Sequence, residues 1–519
     1  MHVPMCLSQR TKIFTFSQIL SMLLIFIIKN LIHLCKVLLL TERDMKQLLF
    51  TLLAFFIYTG CTENRIASKQ ENTYPNIFPD YKEISIPINI APLNFTVKNS
   101  SHIKAIFSNN NQPLFSIEGK NKIDIPLKKW RHIISRNIGK QIDISISIWN
   151  NSYPEGVQYK SFPIYITTDS IDPYIAYRLV EPGYESWHEM DIRQRALNCF
   201  KEEIIISSNM TEKGCVNCHS FCNYSPTDFM FHARTTPGGT IIIKNNQPVK
   251  VQLSQLGSSK EGTYPHWHPS GKYIIFSTNA TRQSFYSRNP NLIEVYDLES
   301  DLILYDPVRN TVITDPRFNS PESFETFPAW APDGKRLYYC TAPAKQLPKR
   351  LREVKYSICS VSFDPDSGSF GETIDTIYTA HNKSASFPRI SPDNQYLLFT
   401  ESDYATFPIW HKEADLKMIS LQDSASVNTD ILNSPDVESY HSWSSNGKWI
   451  IFSSRRLDGL YTRFFIAHLN KNGKFSKPFL LPQKDPDENN LRMKSFNIPE
   501  FIKDKITITR SQLDHTVTD

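Results

Sequence analysis

One short pattern recurs through the second half of the chain and constrains the fold more than any other feature. An aromatic residue, usually followed by Pro, leads into a turn of the Pro-Asp-Gly type, and a short apolar run follows the turn. Four plain copies begin at Tyr264, Phe327, Phe387 and Tyr440. A turn followed by such a run indicates a buried strand. Because one such strand cannot bury both faces alone, the units must pack against one another.

Two weaker copies extend the repeat at both ends. One has its turn at Ser225–Asp228, and the other occupies Phe496–Thr509, with Ile506 and Ile508 in its strand. Units of this length can hold four strands each. We therefore predict an all-β chain with a six-bladed β-propeller over residues 220–515, and seven blades are the alternative. The repeat resembles the WD-like repeats of TolB-type β-propellers.

The region before the repeat has a different pattern. Apolar and polar side chains alternate at Ile84–Ile90, at Ile142–Ile148 and at Phe162–Ile166. Alternation with period two indicates half-buried strands. The pattern predicts a small β-sandwich over residues 75–170. Residues 171–214 are predicted to be a connector, with a helical pattern over 189–203.

The N-terminus has the features of an export signal. Met45-Lys46 precedes the apolar run Leu48–Ile57, and Gly60-Cys61 follows it. A basic start, an apolar core and a small residue before the cleavage point define a secretory signal. A cysteine directly after that point is similar to a bacterial lipoprotein signal, in which Cys61 is lipidated. We predict a leader over 1–61, with the real start at Met45, and a tether over 62–74.

A transmembrane anchor at residues 13–40 is the alternative to the lipoprotein signal. Both interpretations place the rest of the chain outside the cytoplasm. The predicted location is the bacterial cell envelope, on the periplasmic side or at the outer membrane or cell surface. The membrane is then a partner through the lipid on Cys61.

A cysteine cluster at residues 215–222 carries the most specific chemical pattern. Cys215, Cys218 and His219 form a C-x-x-C-H motif. Two thiols at this spacing can form thioethers to haem, and the following imidazole can bind the iron. The prediction is a haem c. Cys222 leaves zinc open as an alternative, and a disulfide between Cys215 and Cys218 is another.

Several segments together resemble a family of exported propeller lipoproteins, often labelled TolB-like or cytochrome c biogenesis proteins. The similar segments are Gly214–Phe221, Met230–Arg234, Gly238–Thr240, Glu181–Tyr184, Tyr264–Lys272 and Ser495–Phe501. The resemblance covers most of the chain after residue 75 and implies a haem protein. Since it includes His232 and Met230, these are the first candidates for a sixth iron ligand. The other candidates lie in or just before later repeat copies: His266, His268, His441 and Met493.

The repeat register places the haem over the mouth of the propeller, because the lead-ins of all blades converge there. The predicted function is a haem-bearing electron-transfer or binding module. A haem-free scaffold with zinc or a disulfide, binding a protein or glycan on its propeller face, is the alternative. An enzyme acting on a polysaccharide or peptide is a third hypothesis, but no G-x-S-x-G motif and no catalytic residue are found. A net charge of +5 without a basic run argues against nucleic-acid binding.

Overall fold

The structure is a computed structural model, and it describes residues 65–181, 189–211, 214–234, 238–258, 260–288, 291–379 and 381–518. Cys61, Met45, the rest of the predicted leader and most of the Glu181–Tyr184 segment lie outside these residues. No helix within the described ranges is long and apolar enough to cross a membrane. The three described α-helices are short: Leu127–Arg136, Glu488–Leu491 and Arg510–Thr518. The coarse prediction of a mostly β chain is confirmed.

Ten strands precede residue 170. They are β1 (Lys69–Glu71), β2 (Ile77–Phe78), β3 (Ile84–Ile86), β4 (Phe95–Val97), β5 (His102–Asn109), β6 (Gln112–Gly119), β7 (Lys122–Ile123), β8 (Gln141–Asn150), β9 (Tyr153–Tyr159) and β10 (Phe162–Ile166). Strands β2, β4 and β7 form a three-stranded sheet, and the other seven form a mixed sheet. The predicted alternation holds on β8, where Ile142, Ile144, Ile146 and Ile148, at every second position, are all buried. Two sheets therefore occur where a sandwich was predicted, and the domain boundaries stay predictions.

Twenty-four further strands form six four-stranded antiparallel sheets. They are β11 (Tyr174–Val180), β12 (Met190–Ala196), β13 (Glu202–Ser207), β14 (Cys215–Phe221), β15 (Phe229–Arg234), β16 (Gly239–Lys244), β17 (Gln247–Val251), β18 (Thr263–Trp267), β19 (Ile274–Phe285), β20 (Ile293–Asp306), β21 (Thr311–Thr314), β22 (Ser323–Trp330), β23 (Arg336–Pro343), β24 (Ser357–Asp364), β25 (Ser369–Tyr378), β26 (Ser384–Ile390), β27 (Tyr396–Ser402), β28 (Asp415–Ser420), β29 (Ser426–Val427), β30 (Glu438–Trp443), β31 (Trp449–Ser454), β32 (Arg463–His468), β33 (Phe479–Leu480) and β34 (Ser495–Ile502).

Five of these sheets are consecutive in sequence, and the sixth joins distant parts of the chain. The consecutive sheets are β14–β17, β18–β21, β22–β25, β26–β29 and β30–β33, whereas the sixth has the order β13-β12-β11-β34. The helix predicted over 189–203 is wrong, because Met190–Ala196 is a strand paired with Tyr174–Val180. The last repeat copy supplies β34, which ends at Ile502, before Ile506 and Ile508.

The lead-in of each repeat copy is itself an edge strand of a sheet. We call these six edge strands, β34 included, the first strands. The first strands β14, β18, β22, β26 and β30 each contact the next one along the chain, and β34 contacts both β30 and β14. The sequence interpretation had placed the lead-in just before the innermost strand. Ladder pairing explains the difference, since each lead-in pairs with the strand that follows its turn.

A hydrophobic core joins the first ten strands to the repeat region. Buried side chains from β5 and β8 belong to one apolar cluster with Trp449 on β31 and Phe464 on β32. Burying each such side chain contributes about 1.5–3 kcal/mol. The packing fixes both regions within one compact unit, residues 67–519.

Candidate functional site

Six equivalent residues, one from each first strand, encircle a narrow cavity. Each adopts a left-handed backbone conformation, with φ between 45° and 54°. The ladder shifts register at the same place in each strand, as expected for a β-bulge. A bulge re-aims a side chain, and here it turns these six residues inward. We name them the collar: Cys218, Tyr264, Phe327, Phe387, Tyr440 and Ile498.

The four aromatic members of the collar contact one another in sequence. Ring centroids are 4.4 Å apart for Tyr264 and Phe327, 4.0 Å for Phe327 and Phe387, and 5.0 Å for Phe387 and Tyr440. Positive φ in a residue other than Gly is strained, at about 1–3 kcal/mol each. The ring contacts offset that strain and hold the narrow passage.

Three adjoining cavities lie along the first strands. The cavity at the collar, the neck, has a volume of about 80 Å³. A larger cavity of about 560 Å³ shares Arg178, Asn217, Phe407 and Tyr440 with the neck. We call it the arginine-lined chamber. A third cavity of about 310 Å³ is walled by three Trp side chains and is here the tryptophan-lined chamber. Only the two chambers reach the 300–1,000 Å³ typical of ligand pockets.

The arginine-lined chamber carries an excess of positive charge. Its cationic residues are Arg178, Arg234, Arg282 and Arg455. Its one acidic residue among the described lining, Glu181, is already paired with Lys494 at 3.1 Å. None of the four arginines forms an ion pair with any residue that the structure describes. A chamber of this kind attracts anions.

Arg455 is the deepest cation of this chamber. Its side chain is 6% exposed, and its guanidinium lies 3.6 Å from the centre of the Trp410 ring. Its Nε has no hydrogen-bond partner in the described part of the chain. Burial lowers the pKa of Arg455 to about 10, although Asp436 and Tyr440 oppose the shift. The side chain therefore stays charged at neutral pH.

Arg178 lines the neck as well as the same chamber. It donates a hydrogen bond to Asn217 and interacts with the Tyr440 hydroxyl, while its buried Nε has no partner among the described residues. Two arginines with mostly unpaired charge thus line one cavity, and guanidinium forks fit carboxylate and phosphate groups.

A long hairpin walls one side of the arginine-lined chamber. Strands β19 and β20 extend beyond the rest of their sheet, and Arg282 and Ile293 line the chamber from this extension. Glu294, next to Ile293, accepts a hydrogen bond from Tyr404 and another from His411 at 3.0 Å. The hairpin is thereby fixed to the segment between β27 and β28, which supplies Trp410 to the chamber.

The predicted haem residues do not form a haem site. Cys215–Phe221 is a strand, and its two predicted thioether cysteines line different cavities: Cys215 the arginine-lined chamber and Cys218 the neck. His219 Nε2 donates a hydrogen bond to the carbonyl oxygen of Ile498 at 2.8 Å. Burial and the nearby Arg178 lower the pKa of His219 to about 3.

The repeat explains Cys218-His219 without haem. The pair occupies the place of the aromatic-Pro dipeptide in other copies, such as Tyr264-Pro265. His441 takes the same place after Tyr440, and its Nε2 also donates to a backbone carbonyl, that of Leu398, at 3.0 Å. A histidine at this position is therefore a hydrogen-bonded part of the strand. The prediction of haem c at Cys215, Cys218 and His219 is wrong.

The predicted sixth ligands are not brought together either. Nδ1 of His232 lies 3.4 Å from Oγ1 of Thr240, and Met230 is fully buried in a core between sheets. His266 Nδ1 accepts a hydrogen bond from the backbone N–H of Trp330, and His268 Nε2 donates one to the carbonyl oxygen of Gly334. Met493 is 68% exposed.

Zinc and a disulfide, the two alternatives, fail as well. No group of three or more His, Cys, Asp or Glu side chains in the described part of the chain is arranged to hold a metal ion. All six described cysteines are free thiols, including Cys215, Cys218 and Cys222. The interpretation as a haem-free scaffold built on such a site is therefore not supported.

Comparisons with known proteins return peptidases. The chain is 11% identical to a puromycin hydrolase structure, over 59% of this chain and 45% of that one, with a TM-score of 0.36. The chain is 9% identical to a puromycin-hydrolyzing peptidase of Mycobacterium tuberculosis, over 58% of this chain and 46% of that one, with a TM-score of 0.34. It is 10% identical to prolyl oligopeptidase B of Galerina marginata, over 60% of this chain and 49% of that one, with a TM-score of 0.33. The chain thus spans about half the length of each. No family model matches the chain, and no curated protein does.

The interpretation as a member of a haem-binding lipoprotein family is also wrong. No family model matches the chain, and the residues of the proposed haem motif form part of a strand. The interpretations as a cytochrome-like protein and as an electron-transfer module are withdrawn together with the haem.

Sequence reasoning missed the arginine-lined chamber. Its four arginines come from four distant segments, so no local spacing reveals them. A signal did exist for two other charged residues, Arg389 and Glu500. Each stands two places after a collar residue, where the other copies have Ser220, His266, Ala329 and Ser442.

Proposed function

We propose that the chain is a six-bladed β-propeller that binds a small molecule bearing carboxylate or phosphate groups in its arginine-lined chamber. The six four-stranded sheets support the propeller, together with the circular succession of contacts among their first strands. The last strand, β34, pairs with β11 and completes the sheet that β11–β13 begin. Strands from distant parts of the sequence would thereby close the ring of blades. The proposal includes export to the cell envelope and a lipid on Cys61.

One observation carries the ligand class. The guanidinium of Arg455 lies against Trp410, and this mostly buried residue lines a cavity of about 560 Å³. An anion in the chamber would accept hydrogen bonds from Arg455 and Arg178. Each hydrogen bond to a charged group contributes about 1.5–3 kcal/mol. The rings of Trp410 and Tyr440 offer an apolar wall for the rest of the ligand.

Isothermal titration calorimetry of the full chain tests this proposal. The probes are citrate and inorganic phosphate, with choline as a cation for comparison. We expect heat from at least one anion and none from choline. The R455Q variant should weaken the binding by at least about tenfold, the equivalent of one charge-assisted hydrogen bond.

A matched control is Arg309→Gln. Arg309 lies outside the chamber, is largely exposed and pairs with Asp306 at 3.8 Å. This variant should bind the anion as the unmodified protein does. The proposal is overturned if neither anion binds, or if R455Q and R309Q bind equally well.

A further inference from the structure

The tryptophan-lined chamber holds two opposite charges that do not meet. Arg389 on β26 and Glu500 on β34 both line this chamber and the neck. They occupy equivalent places on two first strands, with Ser442 of β30 between them. Although each influences the pKa of the other, they form no ion pair. The chamber therefore presents a cation and an anion from two strands that are separated by β30.

Each charged group has bonding capacity to spare. Within the described ranges, Arg389 donates from Nη1 alone, to the carbonyl oxygen of Pro388 at 3.1 Å. Glu500 accepts one hydrogen bond through Oε2, from the Phe221 N–H at 3.1 Å. Buried charges are usually paired. The free donors of the guanidinium and the free oxygen of the carboxylate both face the cavity.

The walls between the two charges are apolar and aromatic. Trp267, Trp330 and Trp443 contribute their indole rings. The buried indole N–H groups of Trp267 and Trp330 have no hydrogen-bond partner. A volume of about 310 Å³ is sufficient for a small ligand. Such walls suit an apolar side chain carried between the two charged ends.

We infer that the tryptophan-lined chamber binds a zwitterion with an apolar side chain, either an α-amino acid or a dipeptide. The ligand carboxylate pairs with Arg389 and the ligand ammonium pairs with Glu500. The apolar side chain lies against the tryptophan rings. This second site does not depend on the arginine-lined chamber.

The surroundings of Glu500 make binding sensitive to protons. Burial raises the pKa of Glu500 to about 7, although Arg389 opposes the shift. A ligand ammonium favours the charged carboxylate, so binding near pH 7 should release about half a proton. The other titratable or cationic groups lining the chamber are His266, Tyr224 and Lys503. His266 stays neutral, because burial lowers its pKa to about 3.

Calorimetry of the full chain with L-leucine, L-leucinamide, 4-methylvalerate and glycyl-leucine tests the inference. Leucinamide retains only the cation, and 4-methylvalerate retains only the anion. We expect leucine or glycyl-leucine to bind at least about tenfold more tightly than either single-charge analogue. Whichever zwitterion binds more tightly identifies the charge separation that the chamber accepts.

Variants separate the two ends of the ligand. E500Q should weaken zwitterion binding by at least about tenfold and leave 4-methylvalerate unaffected, whereas R389Q should weaken both. R455Q should change nothing in this chamber. Repeating the titration in buffers of different ionisation enthalpy measures proton release on the unmodified protein, which keeps the test decisive if a variant does not fold. Equal binding of all four probes, or none by calorimetry and tryptophan fluorescence at millimolar concentration, overturns the inference.

Discussion

Glu294 accepts a hydrogen bond of 3.0 Å from Nε2 of His411, and the bond joins two sheets that are not neighbours in sequence order. Glu294 belongs to the long hairpin of the sheet β18–β21, and His411 follows strand β27 of the sheet after next. Both side chains are almost completely buried, at 3% and 1% exposure. The second imidazole nitrogen, Nδ1, lies 3.2 Å from Glu413. A protonated imidazole between two carboxylates thus closes one wall of the arginine-lined chamber.

Stability should depend on the protonation of His411. Burial alone would lower its pKa, but hydrogen bonds and charges from Glu294 and Glu413 outweigh burial and raise the pKa to about 9. Because the pKa is raised in the folded state, the protonated imidazole contributes its full stabilisation only below about pH 6.5. This contribution is lost as the pH rises through about 9. It amounts to at most about 3 kcal/mol. The urea midpoint should therefore fall over this range, and H411N should lack this part of the fall. An identical alkaline fall in H411N would contradict the assignment.

Two consecutive arginines should respond in opposite ways to the same substitution. Arg455 forms no ion pair with any described residue, whereas Arg456 lies 2.9 Å from the buried carboxylate of Glu438. Replacing Arg455 by Met removes an unpaired buried charge, so the unfolding midpoint should stay unchanged or rise. Replacing Arg456 by Met leaves Glu438 unpaired and should cost about 3–5 kcal/mol. Urea titrations of R455M and R456M measure the contrast. A loss of stability in R455M as large as that in R456M would show that Arg455 is held by partners of its own.

The equivalence of His219 with the prolines of other copies gives a third prediction. Four first strands carry Pro at this place: Pro265, Pro328, Pro388 and Pro499. His219→Pro should therefore fold and lose only about 1 kcal/mol, for the hydrogen bond to the Ile498 carbonyl.

His268→Pro is the matched contrast for that variant. The backbone N–H of His268 donates to Tyr273 at 2.9 Å, and its ring hydrogen-bonds to Ser270 and Gly334. Loss of these three bonds should cost about 3 kcal/mol. Circular dichroism and thermal melting compare the two variants. If H219P failed to fold while H268P folded, the equivalence would be wrong.

The difference between local and non-local information explains what could be predicted from the sequence. The lead-in and turn around Tyr264 repeat every few tens of residues, so the strands and the convergence of the lead-ins could be predicted. Cys215–His219 was misinterpreted because its spacing fits a haem attachment, while its strand conformation depends on pairing with Phe229–Arg234. Arg178 and Arg455 lie far apart in the sequence and line the same chamber only in the folded structure. No sequence window contains both residues.

The aromatic collar should be both a stabilising element and a size limit. The Phe387 ring lies 4.0 Å from Phe327 and 5.0 Å from Tyr440, measured between centroids, and it is 6% exposed. Phe387→Ala removes both ring contacts and should cost about 3–5 kcal/mol. The residue would keep its positive φ, and the neck of about 80 Å³ would widen toward both chambers.

Leu491→Ala is the control, because Leu491 is 75% exposed and its loss should change stability by less than about 0.5 kcal/mol. Urea denaturation gives the stabilities, and a crystal structure of F387A gives the volume of the neck. A wild-type stability for F387A would mean that the collar contributes no packing energy and that the strain at its six positions is balanced elsewhere in the strands.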